Sequence, residues 1–584
     1  MSKKKPGSSR ARSREQSRSS GSAEKPESSQ PTPLRHIPSH AAIRETIESV
    51  VVAFVLAFLF RTFEAEAFVI PTGSMAPTLM GRHKDLECPE CGYQFQVSAS
   101  DEVNQSTNTP RGPGYRVRGC TCPICRYDMS IDPDEDRSFK GDRILVGKFA
   151  YQFSDPERWD VAVFKYPGEA KTNYIKRIVG LPHETLRISH GDIFTKPDGN
   201  DHFYIARKPP RKMLAMLQPV YDNDYVDPEI IKLGWPARWQ GDGEPGGWDN
   251  LADGDYRTFS SDGGSARETW VRYQHFVPSA FQWQHLAQGS MPPDQPERRL
   301  IADFCAYNTG RSEMSSMQSM PLHWVGDLAL RCTVDVRSET GEIIFELVEG
   351  GRAFQCRVDV ETGTARLVIE GVDDYKPTAS TRIRGLGSHE VRFSNVDDEL
   401  RLWVDGKLVE FDGPTTYEPL NNTRPYPVDL LPASVGSLGA ACELSHIELR
   451  RDIYYIAEWR RGNRHGHNGG PITGFDNLHS IIPSNSPQGV ARFLSDPARW
   501  DAFEKLHHVD FPLAADQFLA LGDNSARSKD SRLWEQDGFE YYVKRKLLIG
   551  KAIFVYWPHS WDRLPGTDFP LPMFPNFPRM GFVR

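Results

Sequence analysis

The chain has 584 residues, a formal net charge of −8 at pH 7 and a hydrophobic fraction of 39%. Its length exceeds what one hydrophobic core supports and indicates three or four domains. The acidic balance argues against a nucleic-acid-binding protein, because such proteins present a basic surface to phosphate.

The N-terminal region combines a basic tail with an apolar run. Residues 1–40 are rich in Lys, Arg, Ser and Pro, which predicts a disordered segment. Eleven apolar residues follow at 50–60, and extending the run to 41–63 gives enough length to cross a bilayer. We predict one transmembrane helix over 41–63 in the inner (cytoplasmic) cell membrane, with a cytoplasmic N-terminus and an extracytoplasmic catalytic domain. A buried helix of a soluble domain is the alternative.

A serine stands just after this apolar run, and three later blocks accompany it. Serine in a turn rich in Gly and Pro is most often only a turn residue, so Ser74 alone predicts nothing. The four blocks, in chain order, are IPTGSMAPTL (70–79), KGDRILVGK (140–148), NYIKRIVGLP (173–182) and LGDNSARSKDSR (521–532).

In this order and after a hydrophobic segment, the four blocks resemble the type I signal peptidases (bacterial leader peptidases). The resemblance implies a β-rich catalytic core that needs no cofactor for catalysis. It implies that Ser74 attacks the scissile carbonyl and that Lys176 accepts the serine proton and later activates the hydrolytic water. It also implies that the substrates are preproteins whose signal peptides carry small residues before the cleavage site.

The resemblance also assigns supporting roles around this dyad. The hydroxyl of Thr72 and the backbone N–H of Ser74 would hold the oxyanion, and Ser528 would hydrogen-bond the lysine amine. Asp530 and Arg532 would form an ion pair behind the dyad. The chain departs from the family pattern at positions 183 and 525, where histidine and serine replace the usual glycine and arginine. Neither departure replaces a dyad group.

A lysine can act as a base near neutral pH only if its surroundings lower its pKa. In a strand, Lys176 shares one face with Tyr174 and Ile178, because successive side chains alternate between faces. Burial among such apolar groups is expected to lower the lysine pKa and to aim the amine at the serine.

Two Cys-x-x-Cys pairs predict a zinc-ribbon-like module inserted at 87–130. Each pair stands beside Pro or Gly, the pattern in which four thiolates surround one structural Zn²⁺. The chain has nine cysteines, so at least one is unpaired, and a module outside the cytoplasm can instead form disulfides. We favour zinc and keep disulfides as the alternative. The expected ligands are Cys88, Cys91, Cys122 and Cys125, with Cys120 spare.

Short β-rich runs separated by Pro, Gly and Asp turns predict a mainly β fold. The peptidase-like core is expected in three parts, at 64–86, 138–200 and 511–584. A loop-rich insertion is expected at 201–319, and a connector at 457–510.

Regularly spaced strands over 320–456 predict an inserted β-sandwich. The alternating segment 400–404, the Asp405-Gly406 turn and the returning segment 407–411 give a strong hairpin signal. This stretch resembles concanavalin- or laminin-G-like jelly rolls, which implies a glycan or protein ligand. A spacer role is at least as consistent with it, because a fold does not fix a function.

These observations together predict a membrane-bound serine endopeptidase that removes signal peptides from exported preproteins and contacts membrane lipid. One alternative is a related Ser/Lys peptidase, such as a self-cleaving repressor. The other alternative is an envelope interaction protein, in which the ribbon and the jelly roll bind partners on an inactive peptidase core.

Overall fold

The structure is a computed structural model that describes residues 40–59, 65–105, 107–243, 247–250, 256–314, 321–420, 423–458, 475, 482, 486–563 and 569–584. The basic tail predicted at 1–40 lies outside the described residues except for its last position. Most of the first half of the predicted connector also lies outside them.

Helix α1 covers His40–Leu59 and contains most of the apolar run. Among its described side chains, Val50, Phe54 and Val55 are exposed. A search of the described helices finds none whose length and hydrophobicity suit a membrane span. Residues 60–63 of the predicted span lie outside the described residues. The chain divides after Leu59 into two units, and the second unit is described by itself below.

The second unit is mainly β, as predicted, and five short helices accompany its strands. Within the described residues these helices are α2 (Ala150–Phe153), α3 (Pro210–Met216), α4 (Pro228–Lys232), α5 (Ala280–Ala287) and α6 (Pro487–Ser495).

The strands of the first part of this unit are β1 (Ala65–Val69), β2 (His83–Glu87), β3 (Gln94–Ser98), β4 (Gly119–Thr121), β5 (Asp128–Ser130), β6 (Arg143–Gly147), β7 (Val161–Tyr166), β8 (Glu169–Gly180), β9 (Glu184–Ser189), β10 (Asp192–Pro197) and β11 (Tyr204–Ile205).

The central strands are β12 (Gln218–Asp222), β13 (Trp239–Gly241), β14 (Trp248–Asn250), β15 (Phe259–Asp262), β16 (Thr269–Tyr273), β17 (Leu328–Val336), β18 (Glu342–Glu349), β19 (Arg352–Asp359), β20 (Thr364–Ile369), β21 (Thr378–Ser380), β22 (Gly387–Asn395), β23 (Leu400–Val404), β24 (Lys407–Leu408), β25 (Ala433–Leu438) and β26 (Ala441–Arg451). The last strands are β27 (Val509–Leu513), β28 (Gln517–Leu521), β29 (Val543–Lys544), β30 (Leu548–Trp557), β31 (Trp561–Arg563), β32 (Pro570–Phe574) and β33 (Gly581–Phe582).

One antiparallel sheet unites the three predicted parts of the peptidase-like core. Its order is β1-β6-β30-β7-β8-β28-β29, and β33 pairs with β30. Strand β7 (VAVFKY) is rich in β-branched and aromatic residues and is buried at five of its six positions, as suits a central strand. Strand β8 lies between β7 and β28, with Leu521 opposite Arg177. This pairing brings the third and fourth blocks, 173–182 and 521–532, side by side.

A smaller antiparallel sheet, β11-β10-β9-β27, completes the peptidase-like core. Leu186, Ile188 and Phe511 of this sheet are buried in one cluster with Leu519 and Leu521 of the larger sheet. The two sheets therefore share a hydrophobic core, and the strand that precedes the fourth block is anchored in it.

The sandwich is larger than the segment 320–456 in which it was predicted. One sheet runs β14-β15-β26-β17-β22-β23-β24 with β12 beside β26, and the other runs β13-β16-β25-β18-β19-β20-β21. Strands β12–β16 come from the insertion that the sequence analysis described as loop-rich. These strands are only three to five residues long and lie among Pro, Gly and Trp residues, so periodicity did not reveal them.

Two hairpins, β2–β3 and β4–β5, form the ribbon predicted at 87–130. Leu86 and Phe95 of the ribbon belong to the same buried cluster as the interior of the sandwich. The indole N–H of Trp283, on α5, donates to the carbonyl of Cys125 at 3.0 Å. The ribbon therefore packs on the sandwich.

Candidate functional site

Ser74 lies in a single tight turn, Gly73–Met75, that follows β1. Met75 and Ala76 are completely buried, and the serine itself is 8% exposed. A Cβ atom at position 73 would lie 2.1 Å from Cε1 of Tyr307, so only glycine fits there. The turn is thus held against the protein interior with the serine at the edge of solvent.

The amine of Lys176 contacts the serine hydroxyl directly. Lys176 is 4% exposed, and its Nζ lies 2.6 Å from Ser74 Oγ. The same amine donates to the carbonyl of Ile175 at 3.0 Å. The register of β8 against β7 places Ala162 opposite the lysine. The structure therefore brings together the two residues on which the sequence analysis centred.

Burial lowers the pKa of Lys176 to about 8. The nearby charges of Asp530 and Asp523 act in the opposite direction, and the charge of Arg532 adds to the lowering. A hydroxyl within hydrogen-bond distance of an amine with this pKa is the arrangement in which the amine can take up the serine proton.

The block 521–532 supplies a buried ion pair close to the contact between Lys176 and Ser74. Asp530 and Arg532 make a two-point ion pair with distances of 2.8 and 2.9 Å, and both side chains are fully buried. Arg532 also donates to the hydroxyl of Ser525 at 2.9 Å. The serine that departs from the family pattern is therefore part of the hydrogen-bond network around the arginine.

Ser528 stands close to the nucleophile but does not bond to the lysine. Its Oγ is buried and has no hydrogen-bond partner among the described residues. A Cβ atom at Gly522 would lie 2.1 Å from Ser528 Oγ and 2.4 Å from the carbonyl oxygen of Ser74. The expected hydrogen bond between Ser528 and Lys176 is not formed in the structure, where the amine bonds to Ser74 and Ile175.

A cavity of about 240 Å³ opens over Ser74. Thr72 lies in its wall two residues before the serine, with an extended backbone and a side chain that does not cap the turn. Ser98 and Tyr115 of the ribbon and Asn308 of the insertion line other sides. Both insertions therefore shape the space in front of the nucleophile.

The sequence analysis missed two residues that hold the turn in place. Asn524 donates from its backbone N–H to the carbonyl of Ser74 at 3.1 Å and from its side chain to the carbonyl of Gly73 at 2.9 Å. The amides of Asn524 and Asn308 bond to each other reciprocally, at 2.6 and 2.7 Å. Asn524 stands in a matched block and could have been singled out, whereas nothing in the sequence marked Asn308.

A second buried ion pair lies beside the dyad. Arg177 and Asp523 bond at two points, 2.6 and 2.7 Å, and both side chains are fully buried. In the sequence, this pair could have been found only from its position, because Arg177 follows Lys176 and Asp523 lies in the Gly-Asp-Asn segment. The pair links β8 to the start of the 521–532 block, so it fixes the two chain segments that support the amine.

The four cysteines of the ribbon form one cluster whose sulfur atoms all lie within 4.8 Å of one another. Two of the separations are 3.5 Å and 3.7 Å, far longer than the roughly 2 Å of a disulfide. They approach the edge of roughly 3.8 Å expected for four thiolates at 2.3 Å from a tetrahedral zinc ion. The cluster comprises Cys88, Cys91, Cys122 and Cys125, and Cys120 is not part of it. These residues fit a structural zinc ion.

A family comparison covers the second, third and fourth sequence blocks but not the first, which contains Ser74. The family described as "Signal peptidase, peptidase S26" matches residues 128–220 and 382–557. Signal peptidase I of Pseudomonas aeruginosa is 51% identical over 59 residues, which are 8% of this chain and 21% of that protein. Probable signal peptidase I-2 of Synechocystis is 26% identical over 167 residues, 28% of this chain and 50% of that protein.

Over these segments the chain is similar to the type I signal peptidases. It spans between a fifth and a half of the length of these two relatives. Among solved structures, carbohydrate-binding module CBM66 from Bacillus subtilis overlaps 36% of this chain and 95% of its own length, at 7% identity and a TM-score of 0.21.

Proposed function

We propose that this protein is a membrane-anchored serine endopeptidase that removes signal peptides from exported preproteins. The proposal rests above all on the 2.6 Å separation between Ser74 Oγ and the buried amine of Lys176. The names of the related proteins, which are signal peptidases I, supply the substrate class. Preproteins with small residues before the cleavage site are the proposed substrates.

In the proposed reaction, Ser74 Oγ attacks the scissile carbonyl carbon while its proton passes to the neutral amine of Lys176. The resulting oxyanion accepts hydrogen bonds from the Ser74 backbone N–H and the Thr72 hydroxyl. One such donor typically lowers the barrier by about 3 kcal/mol. The carbon–nitrogen bond then breaks, and the lysine returns the proton to the leaving amine.

Hydrolysis of the acyl-enzyme completes the proposed cycle. Lys176, neutral again, takes a proton from a water molecule, and the hydroxide attacks the ester carbonyl. Collapse of the second tetrahedral intermediate restores the serine hydroxyl with the proton held by the lysine and releases the product as a carboxylic acid, which loses its proton to solvent. Asp530 and Arg532 support the chain segment beside the lysine in this scheme but form no bond to the substrate.

The anchor proposed for this enzyme is the segment 41–63, with the N-terminus in the cytoplasm and the catalytic unit outside the inner membrane. Its support is the apolar run itself and the large side chains exposed on α1, such as Phe54 at 74%. Alkaline extraction of cell membranes tests this assignment. Release of the full chain into the soluble fraction would contradict it.

Cleavage of a preprotein whose leader ends in Ala-x-Ala tests the dyad. We expect the purified full chain to cleave it, and both Ser74→Ala and Lys176→Ala to lose at least about a thousandfold in rate, because each removes a group without which the serine is not activated. Lys171→Ala, an exposed lysine of the same strand β8, is the matched control and is expected to keep the wild-type rate. Cleavage by both dyad variants at the wild-type rate would reject the dyad.

The same assay separates the enzyme from the alternatives. A self-cleaving repressor would cut its own chain rather than the added preprotein. An envelope interaction protein with an inactive core would leave the preprotein intact in every variant. The glycan or protein ligand predicted for the sandwich remains a proposal that this assay does not address.

A further inference from the structure

Three metal-ligating side chains meet outside the dyad and outside the cysteine cluster. His83 is the first residue of β2, Asp85 lies two residues further along, and His559 follows the end of β30. One ligating atom from each residue lies within 4.8 Å of the other two. Both histidines are buried, whereas the Asp85 side chain is 29% exposed.

The separations within this histidine–aspartate cluster match a coordination sphere. His83 Nε2 lies 3.1 Å from His559 Nδ1 and 3.7 Å from Asp85 Oδ1. Imidazole nitrogens and a carboxylate oxygen at about 2.0–2.2 Å from a tetrahedral zinc ion are separated by roughly 3.3–3.5 Å. The two separations from His83 Nε2 are therefore close to those expected around a tetrahedral zinc ion.

The hydrogen bonds around His83 determine which nitrogen faces the cluster. His83 Nδ1 lies 2.7 Å from the carbonyl oxygen of Gly81, and a carbonyl can only accept, so Nδ1 carries the proton. In the neutral imidazole, Nε2 then presents its lone pair to His559 Nδ1. A backbone carbonyl that fixes the outer nitrogen in this way is the usual support of a metal-bound histidine.

Asp85 is oriented toward the same point. Its Oδ1 accepts a hydrogen bond from Gln96 Nε2 at 3.1 Å, and Gln96 belongs to the neighbouring strand β3. The other carboxylate oxygen contacts Nε2 of His559, whereas His83 faces Nδ1 of the same ring. A neutral imidazole has only one N–H, so His559 can satisfy both acceptors only with an additional proton, and otherwise a cation must lie in the cluster.

We propose that His83, Asp85 and His559 bind one Zn²⁺ ion, distinct from the ion that the cysteines can hold. Two imidazoles and one carboxylate are ligands that suit zinc, and the fourth position would belong to water. The ion would join the beginning of the ribbon insertion to the segment that leaves β30. Gly81, whose carbonyl orients His83, approaches the backbone of Thr72 so closely that a Cβ atom would lie 2.1 Å from the Thr72 carbonyl carbon. The proposed site would thus brace the segment that precedes the nucleophile.

The metal content of the purified full chain tests this proposal. We expect two zinc ions per chain in the wild type after equilibration with zinc and removal of free metal. His559→Ala is expected to retain one, because the cysteine cluster is untouched. His389→Ala is the matched control, since His389 pairs with the carboxylate of Asp405 and belongs to none of the metal-ligand clusters found among the described residues. This variant should keep both ions.

A second variant and a spectroscopic measurement guard against loss of folding. Asp85→Ala changes a partly exposed residue and is also expected to lose one ion. When cobalt replaces zinc, both variants should retain the sulfur-to-cobalt charge-transfer absorption of the cysteine site while binding one cobalt fewer. One ion in the wild type that is unchanged in His559→Ala and Asp85→Ala would overturn the proposal, and would mean that a protonated His559 bridges the other two residues. This test needs no cleavage assay, so its result is independent of the proposed peptidase activity.

Discussion

Burial gives Lys176 a chemistry that an exposed lysine of the same strand lacks. Its pKa is lowered to about 8 because the ammonium form loses its hydration, whereas Lys171 lies in solvent. The carboxylates of Asp530 and Asp523 oppose this effect. Their distance from the amine therefore tunes the pH at which the lysine becomes neutral.

The first consequence at the residue scale concerns pH. We expect kcat/KM for a preprotein to rise about tenfold per pH unit on the acid side of the lysine pKa, because only the neutral amine can accept the serine proton. The rate should level off above a midpoint of about 8. A pH–rate profile measured with one preprotein checks this, and a flat profile from about pH 6 to about pH 9 would contradict it.

Two buried ion pairs behind the dyad give the second consequence. Removing one partner of such a pair leaves the other charge buried and unpaired, at a cost of about 3–5 kcal/mol. Asp523→Ala leaves the charge of Arg177 buried and unpaired. We therefore expect the free energy of unfolding of the peptidase-like core, measured by urea titration, to fall by about 3–5 kcal/mol.

Glu540→Gln is the control for this measurement. It breaks the pair with Lys544, whose side chains are 47% and 41% exposed, and should change the free energy of unfolding little. If the free energy of unfolding fell equally in Asp523→Ala and Glu540→Gln, the buried Arg177–Asp523 pair would contribute no more to stability than the exposed pair.

At the scale of elements, the nucleophile turn depends on contacts from an insertion. The turn is only three residues long and is held by Asn524 from the fourth block and by Tyr307 and Asn308 from the insertion. Short irregular segments have little conformational preference of their own, so neighbouring elements must fix them. The insertion therefore contributes to the geometry of the site as well as to its walls.

Asn308→Ala tests that contribution. The change removes the reciprocal amide pair with Asn524, worth about 1–2 kcal/mol when buried, so we expect kcat/KM for the preprotein to fall about tenfold. The pH midpoint should stay where Lys176 sets it, because Asn308 does not contact the amine. Asn200→Ala, in an exposed turn, is the control and should leave the rate unchanged. Equal rates for Asn308→Ala and Asn200→Ala would show that the insertion does not contribute to catalysis through Asn308.

Strands with a clear periodicity were predictable, and strands without one were not. The core segment predicted at 138–200 contains β6, β7 and β8, whose β-rich runs are 144–146, 161–164 and 174–179. The hairpin predicted around 400–411 is also present: Val404 pairs with Lys407, and Asp405 and Gly406 both have positive φ. The strands β12–β16 escaped prediction because they are too short to show a periodicity, and three of them, β12, β15 and β16, pair with β25 or β26, which lie far away in sequence.

At the scale of the whole molecule, the sandwich begins and ends at neighbouring points. Gln218 of β12 lies opposite Arg451 of β26, so the chain enters and leaves the sandwich beside one strand. Strand β15 also pairs with β26, and β16 pairs with β25. A sandwich cut at residue 320 would lose these partners and expose strand edges and core side chains.

This topology predicts different behaviour for two fragments. We expect residues 218–451, expressed alone, to give a soluble fragment with one cooperative thermal transition, because both sheets are complete within it. Residues 320–456 are expected to aggregate or to lack such a transition, since β12–β16 are missing. Calorimetry and gel filtration of both fragments check this. A well-folded shorter fragment would show that β12–β16 add nothing to the sandwich.

The sequence by itself determined the local features of this protein. It marked the serine and lysine by their blocks, the four thiolates by their spacing and the main strands by their periodicity, because each of these signals is carried by residues close together in the chain. Only the tertiary structure decided which distant groups meet. The 2.6 Å approach of Lys176 to Ser74, the bonding of Asn308 to Asn524, the isolation of the Ser528 hydroxyl and the meeting of His83 with His559 depend on strand pairing and packing across hundreds of residues. Such contacts result from the burial of the whole core, and no short stretch of sequence encodes them.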